Sequence, residues 1–381
     1  MGSSLKSKNI LIGCVADDFT GASDIASFFS IGGLNVLLIN GIPKMDYEIS
    51  KDIEVIVIAL KTRTCEVNRA VNESLQAFKW LKAIGSNQLY FKYCSTFDST
   101  KEGNIGPVMD ALLEYYNIKY TIISPALPVN GRTVVDGSIY VNGLPLEKSS
   151  MRNHPITPMW SSRISELMAN QGKYKVYDLT KEVLKKDKSD IDNFIRDIIL
   201  NDNNHFYIAV DFYEEENATK LIDSFGDLPL ITGSSGLAYE LARKYSLDSN
   251  KGQSNNLGKI LPGKGIIISG SCSTATGNQI DYYLGKGGYA IELDPEKLLK
   301  GSQTLEGLLK LIYSNPADEI LIYSYDSNVY LSDESTSSQS MKSDILEKTM
   351  AQISKSVLSN GFNKIVVAGG ETSGAVTKHL G

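Results

Sequence analysis

The chain has 381 residues, 42% hydrophobic and 22% charged, a length that favours two domains and a composition that excludes disordered and fibrous classes. Its 38 basic and 44 acidic residues give a formal net charge of -6 and form no basic block, so nucleic acid is not an expected partner. No apolar run approaches the roughly 20 residues that cross a bilayer, and the first residues carry no signal-peptide pattern, so the reading is a cytoplasmic protein without a membrane partner.

Residues 9–16 (NILIGCVA) form a continuous apolar run that stops at Asp17-Asp18, after which residues 22–33 follow a helical pattern that Thr20 is able to cap. Residues 34–40 and 53–60 read as two more buried strands, 68–85 as a helix ended by Gly85, 88–94 as a strand and 105–117 as the next helix. With the strand at 121–128, this alternation predicts a mainly parallel, doubly wound sheet. Residues 132–146 break the alternation. Their Asp136-Gly137 between two β-rich runs is a hairpin signal, so a β-ribbon is expected to project from the sheet.

Strands resume at 173–179, 205–212 and 228–236, the last leading into a helix over 237–246. Residues 246–262 are rich in Ser, Asn and Gly, the composition of a linker. We therefore divide the chain into an N-terminal domain over 1–245, a linker over 246–262 and a C-terminal domain over 263–381. The second domain repeats the strand and helix alternation, with a long helix expected from about 335 to 359. The fold class is α/β: two domains, each a mainly parallel sheet flanked by helices, with a β-hairpin projection from the first.

Cys14, Cys65, Cys94 and Cys272 show no CxxC spacing, and His154, His205 and His379 form no metal-binding pattern. Zinc chemistry and a His-dependent triad are not expected. Asp17-Asp18 stands at the carboxyl end of the first strand, where open α/β sheets place their ligands, and either aspartate there can serve as a general base toward a substrate hydroxyl. The plainer alternative is that both only cap the next helix.

Arg63 follows the 53–60 strand and is suited to gripping a carboxylate. The segment Lys92, Ser95, Thr96, Asp98 and Ser99 puts a cation, hydroxyls and a carboxylate after a third strand end, which suits a hydroxylated acid. In the second domain, Gly270-Ser271-Cys272-Ser273-Thr274 and Gly369-Gly370-Glu371-Thr372-Ser373-Gly374 each link an apolar strand to a helix. Small residues there let backbone N–H groups approach a phosphate. Neither turn matches GxxxxGK[ST] or GxGxxG.

Taken together, the blocks ADDFTGASDIA (16–26), ALKTRT (59–64), KYCSTFDSTKEGNIGP (92–107), PALPVNGRTV (125–134), MRNHPITPM (151–159), GSSGLA (233–238), SGSCS (269–273) and VAGGETSGAV (367–376) resemble the four-carbon acid sugar kinases. Two of them, KYCSTFDST and MRNHPITPM, are more similar to the 3-oxo-tetronate 4-kinase branch than to the threonate kinases. Glu102 stands where the latter carry arginine. The resemblance implies an acid-sugar-binding domain followed by a nucleotide-binding domain, with ATP and Mg²⁺ as cofactors and a cleft between the domains as the active site.

It also implies roles for particular residues. Asp17 or Asp18 takes the proton of the terminal hydroxyl, while Arg63, Lys92, Ser95, Thr96, Asp98 and Ser99 bind the acid. Ser271, Ser273, Gly369, Gly370, Glu371 and Thr372 line the nucleotide site. Family members continue past the position of Gly381, so the resemblance further implies a shortened chain with little kinase activity. A threonate or erythronate kinase, a non-catalytic metabolite or nucleotide sensor and a dehydrogenase are the alternatives. The missing GxGxxG argues against the last. A homo-oligomer is compatible with everything in the sequence.

Overall fold

The computed structural model describes residues 10–97, 99–153, 157–248, 262–271, 273–324 and 336–380. They fall into two compact units divided between Ser254 and Asn255. In the first, the chain runs β1 (Ile12–Ala16), α1 (Phe19–Ile31), β2 (Val36–Asn40), β3 (Val55–Ala59), α2 (Val67–Ala83), β4 (Gln88–Lys92), α3 (Ile105–Tyr116) and β5 (Tyr120–Ser124). It continues through β6 (Arg132–Val135), β7 (Ser138–Val141), β8 (Leu144–Pro145), α4 (Ile164–Ala169), β9 (Lys175–Leu179), α5 (Lys181–Leu184), α6 (Lys188–Asn201), β10 (Phe206–Val210), α7 (Glu216–Phe225), β11 (Leu230–Gly233) and α8 (Ala238–Asp248).

Eight of these strands form one sheet in the order β2-β3-β1-β4-β11-β5-β10-β9, with every pairing parallel. β1 and β3 are buried along their whole length, as unbroken apolar runs require when helices cover both faces of a parallel sheet. The chain leaves β1 toward β2 on one side, then crosses from β3 back over β1 to β4. Right-handed crossovers therefore put α1 and α2 on opposite faces, and α1 packs on α8 while α2 packs on α3. The reversal of direction opens a crevice at the carboxyl ends of β1 and β4, the switch point where such sheets bind ligands.

The expected ribbon is an antiparallel three-stranded sheet in the order β6-β7-β8. Asp136 (φ 48°) and Gly137 (φ 71°) form its first turn, the left-handed pair that a two-residue hairpin needs. The turn is anchored from below. The fully buried Asp211, just after β10, accepts hydrogen bonds from the Asp136, Gly137 and Lys181 amides at 2.7, 2.9 and 2.7 Å.

The second unit contains β12 (Lys264–Ser269), α9 (Thr274–Gly285), β13 (Tyr289–Glu292), α10 (Pro295–Leu299), α11 (Leu305–Ser314), β14 (Glu319–Tyr323), α12 (Thr336–Leu358), β15 (Phe362–Ala368) and α13 (Gly370–Leu380). Its sheet is parallel in the order β13-β14-β12-β15. The core is built on Ile266, Ile268, Ile320, Ile322, Ile353 and Phe362. β15 is an edge strand among the described residues, and its Val366 is exposed.

Two local readings change. α8 runs through Asp248, so residues 246–248 are helical and residues 249–261 of the expected linker lie outside the described residues. The cap of α1 is Asp18, not Thr20: the Asp18 carboxylate accepts the Gly21 amide at 2.9 Å while Thr20 is exposed. A carboxylate has two oxygens and full charge to offer the helix start, which favours it over a hydroxyl. No helix among the described residues is long and apolar enough to cross a membrane.

Candidate active site

Three neighbouring strand ends carry the charged residues singled out above. The β1 and β4 registers place Ala16 beside Lys92, and the Asp17 amide donates to the Lys92 carbonyl at 3.0 Å. On the other side, the Thr62 and Arg63 amides both donate to the Asp17 carbonyl at 2.9 and 3.2 Å. The parallel ladders thus continue past the strands and fix the loop after β3 against the turn after β1. Four charges meet there.

Arg63 donates from Nε to Asp17 Oδ2 at 3.0 Å and from Nη2 to Asp17 Oδ1 at 2.8 Å, a bidentate pair. The same Nη2 reaches Asp18 Oδ1 at 2.7 Å. Lys92 is almost fully buried and donates to the Tyr93 carbonyl at 2.9 Å. A methyl group on Gly21 would lie 2.5 Å from Asp18 Oδ1 and 2.9 Å from Lys92 Nζ. Gly21 is therefore a close-approach glycine that lets cation and carboxylate share the space above the first turn of α1.

The two aspartates are not equivalent. Asp17 has 4% of its surface exposed and both its oxygens are taken by Arg63. The Asp18 side chain keeps 26% exposure, and its hydrogen bonds fall on Oδ1, leaving Oδ2 without a protein partner among the described residues. Burial, and then the neighbouring Asp17 charge, push the Asp18 carboxyl above the ordinary aspartate range, against the lowering pull of Arg63 and Lys92. For Arg63, burial opposes ionisation, but Asp17 and its companions outweigh it and hold the guanidinium fully charged.

The loop after β4 is tightly built. Cys94 Sγ and Thr96 Oγ1 are 2.9 Å apart, and Thr96 is buried while Ser95 is half-buried. Phe97 adopts φ 51° with its ring fully buried against Tyr93. That conformation is costly for a bulky residue and recurs at functional loops. Ser99 does not face its neighbours in the cluster; its hydroxyl donates to Gln171 Oε1 at 3.1 Å. Asp98 lies outside the described residues.

The block GSSG at 233–236 is a packing device. A Cβ on Gly233 or Gly236 would meet the Ser124 or Ala126 carbonyl at 2.3 Å, and Ser234 donates to the Ala126 carbonyl at 2.7 Å. A cavity of about 400 Å³ lined by Lys82, Leu89, Tyr116, Lys119 and Leu228 lies at the amino ends of β4, β5 and β11. That is the end of the sheet remote from the charged cluster.

In the second unit the two glycine turns, distant in sequence, are neighbours. β12 and β15 pair with Ser269 beside Ala368, and the Gly270 amide donates to the Ala368 carbonyl at 3.0 Å. Gly369 has φ 115°, and a Cβ there would lie 3.1 Å from the Ser271 amide; one on Gly270 would lie 2.1 Å from Thr372 Oγ1. A side chain would be strained at the first position by its backbone conformation and would crowd Thr372 at the second. α9 and α13 both start here, so two helix N-termini collect at one sheet end, an arrangement suited to a phosphate.

The Ser269 hydroxyl beside these turns is buried and has no partner among the described residues. Ser271 Oγ accepts from Thr276 Oγ1 at 2.9 Å, and Ser273 caps α9 by accepting the Thr276 amide at 3.2 Å. Thr372 is buried against Gly270, Gly370 starts α13, Glu371 is exposed on its first turn, and Cys272 lies outside the described residues. Sequence reading missed Gly21, and also Asn104 as more than one polar group in a loop. The signal for Gly21 was its place three residues after the capping carboxylate. Asn104 gave none beyond its residue type.

An acidic and basic cluster at a doubly wound switch point, and a separate unit whose glycine turns gather helix N-termini, define a protein that handles a polar small molecule and a phosphate-bearing one. Residues 12–241 match the sugar-binding N-terminal domain and residues 266–381 the nucleotide-binding C-terminal domain. The chain belongs to the four-carbon acid sugar kinase family, the sugar acid kinases of carbohydrate metabolism.

It is similar to the 3-oxo-tetronate kinase of Brucella melitensis, 36% identical over 97% of this chain and 85% of that one. Another 3-oxo-tetronate kinase, from Escherichia coli, is 35% identical over 98% of this chain and 96% of its own length. A solved protein from Salmonella typhimurium superposes with a TM-score of 0.84 at 35% identity, covering 97% of this chain and 88% of that one. One from Haemophilus influenzae gives a TM-score of 0.75 at 36% identity, with 97% and 88% coverage.

Proposed function

We propose that the protein transfers the γ-phosphoryl group of ATP to the terminal hydroxyl of a four-carbon sugar acid, with 3-oxo-tetronate as the preferred acceptor. The observation that carries the reading is the Asp18 carboxylate, partly exposed with Oδ2 uncommitted, beside an Asp17 whose oxygens are both held by Arg63. A raised proton affinity brings a carboxylate nearer to what a general base requires. In this reading Asp18 accepts the hydroxyl proton, and Asp17 locks Arg63 in the orientation that receives the acid's carboxylate. Lys92 offsets the two aspartates. Ser95 and Thr96 contribute the hydroxylated wall.

The nucleotide's phosphates would be held by backbone N–H groups around Ser271, Gly369 and Gly370, with Thr372 shaping the turn. Ser273, Ser99 and Glu371 take supporting places: cap of α9, brace of the loop and exposed carboxylate at the start of α13. Among the described residues no group of three metal-ligating side chains occurs. A Mg²⁺ ion here would therefore be carried by the triphosphate oxygens with at most one or two protein carboxylates, as is usual for this ion, and would neutralise charge on the transferring group. Such a kinase draws on the ATP pool of the cytoplasm.

The test is ADP release, coupled to a spectrophotometric readout, with threonate, erythronate and their 3-oxo derivatives as acceptors. We expect the highest kcat/KM with a 3-oxo acid and its loss in Asp18→Asn. Equal rates with all acceptors would remove the substrate assignment, and full turnover by Asp18→Asn would remove the base.

A further inference from the structure

Asn104 stands at the start of α3, where asparagine ordinarily caps its own helix. Here it does not: no capping bond forms from its side chain. The first turn of α3 is served from elsewhere, by Gln171 Oε1, which accepts the Gly106 amide at 2.9 Å. The Asn104 amide nitrogen turns instead to the loop after β3, donating to the carbonyls of Thr62 at 2.6 Å, Cys65 at 2.9 Å and Arg63 at 3.3 Å.

Its orientation follows from those partners, because a flipped amide would set oxygen against three carbonyls. The residue is only 7% exposed, and its Oδ1 is buried with no partner among the described residues. An orphaned buried acceptor is destabilising. Asn104 therefore satisfies a loop at the expense of its own helix cap and its own carbonyl oxygen. What that loop carries is Arg63, whose guanidinium spans Asp17 and Asp18.

We propose that Asn104 is a positioning residue of the acid-sugar site, its side-chain amide fixing the 62–65 loop so that the Arg63 guanidinium stays on the Asp17–Asp18 pair. The proposal rests on the reading that Arg63 belongs to the acid-binding site. It predicts that the effect of Asn104 on acid affinity passes through Arg63.

The experiment is a double-mutant cycle on the full chain, with 3-oxo-tetronate and ATP affinities measured by calorimetry for Asn104→Asp, Arg63→Ala and the double variant. Aspartate keeps the size and the capping ability of asparagine but presents oxygens to the three carbonyls. We expect Asn104→Asp to weaken acid binding by about tenfold or more, the scale of a small misplacement of a positioning group, with ATP affinity unchanged. In the Arg63→Ala background the same substitution should have no further effect. Asn104→Ser, which retains a capping hydroxyl but is too short to span to the loop, runs the same cycle if the aspartate variant does not fold. Wild-type acid affinity in the Asn104 variants, or a full additive loss in the double variant, would overturn the proposal. Unchanged acid affinity in Arg63→Ala alone would overturn the acid-site reading on which it rests.

Discussion

In the proposed function the two units solve different recognition problems with different parts of the chain. In the proposed reading the groups at the carboxyl ends of β1, β3 and β4 are charged side chains: Asp17 and Lys92, almost fully buried, and Asp18 and Arg63, with Arg63 bonded to both aspartates. Where β12 and β15 end, the groups proposed to work are backbone N–H groups at glycine turns, where a Cβ on Gly270 would lie 2.1 Å from Thr372 Oγ1 and one on Gly369 would be strained at φ 115°. A proton acceptor must have a tuned, oriented titratable group, whereas a phosphate needs only donors and a helix N-terminus. Site one should therefore fail when a charge is removed, and site two when a methyl group is added.

The largest expected effect is at Asp18. Asp18→Asn should lower turnover by about 10² to 10⁴ while leaving ATP binding unchanged in calorimetry. Because its carboxyl is raised in the fold, the ionised form is the disfavoured one: that group's contribution to stability is complete below the ordinary aspartate pKa and is lost as pH rises through the raised value. The substitution should thus keep or raise the melting temperature at neutral pH, since asparagine also caps a helix. A fall in melting temperature with turnover retained would reverse the assignment.

Next in size, Arg63→Ala should cost acid binding about 2 to 5 kcal/mol, the penalty for stranding a buried charge partner. It should also move the acid limb of kcat/KM to higher pH, because the cation that lowers the Asp18 carboxyl is gone. A pH–rate profile superimposable on that of the native protein would break the link between the two residues. For the other unit, Gly369→Ala places a side chain at φ 115° and should weaken nucleotide binding by about 1 to 3 kcal/mol with no change in acid affinity. Equal losses for both ligands would erase the contrast between the sites.

Ser273→Ala is the smallest. It removes the cap of α9 and should cost about 1 kcal/mol of stability, read as a shift in denaturant midpoint, with nucleotide affinity nearly unchanged because the hydroxyl is already spent on Thr276. A large loss of nucleotide affinity at constant stability would make Ser273 a direct ligand.

Much of the architecture is written locally. LIGCVA and VIVIAL are unbroken apolar runs of the kind that a strand buried on both faces accommodates, and Asp136-Gly137 specifies its turn through two left-handed residues. The same locality marked Asp17-Asp18 and the two glycine turns as strand ends. Sequence alone could not say which aspartate is engaged. That depends on Arg63, which β3 pairing brings beside them.

Nor could it show that the turns at Gly270 and Gly369 touch, since the two strands between β12 and β15 in the chain, β13 and β14, lie on the other side of β12 in the sheet. Nothing in the sequence marks Asn104 or Gln171 as partners of other elements until the fold sets one against the 62–65 carbonyls and the other against α3. Periodicity and turn chemistry are short-range properties, so the residues of one element reveal that element. Partnership between charges on different elements is set by sheet order and register, and these emerge only when the core is packed.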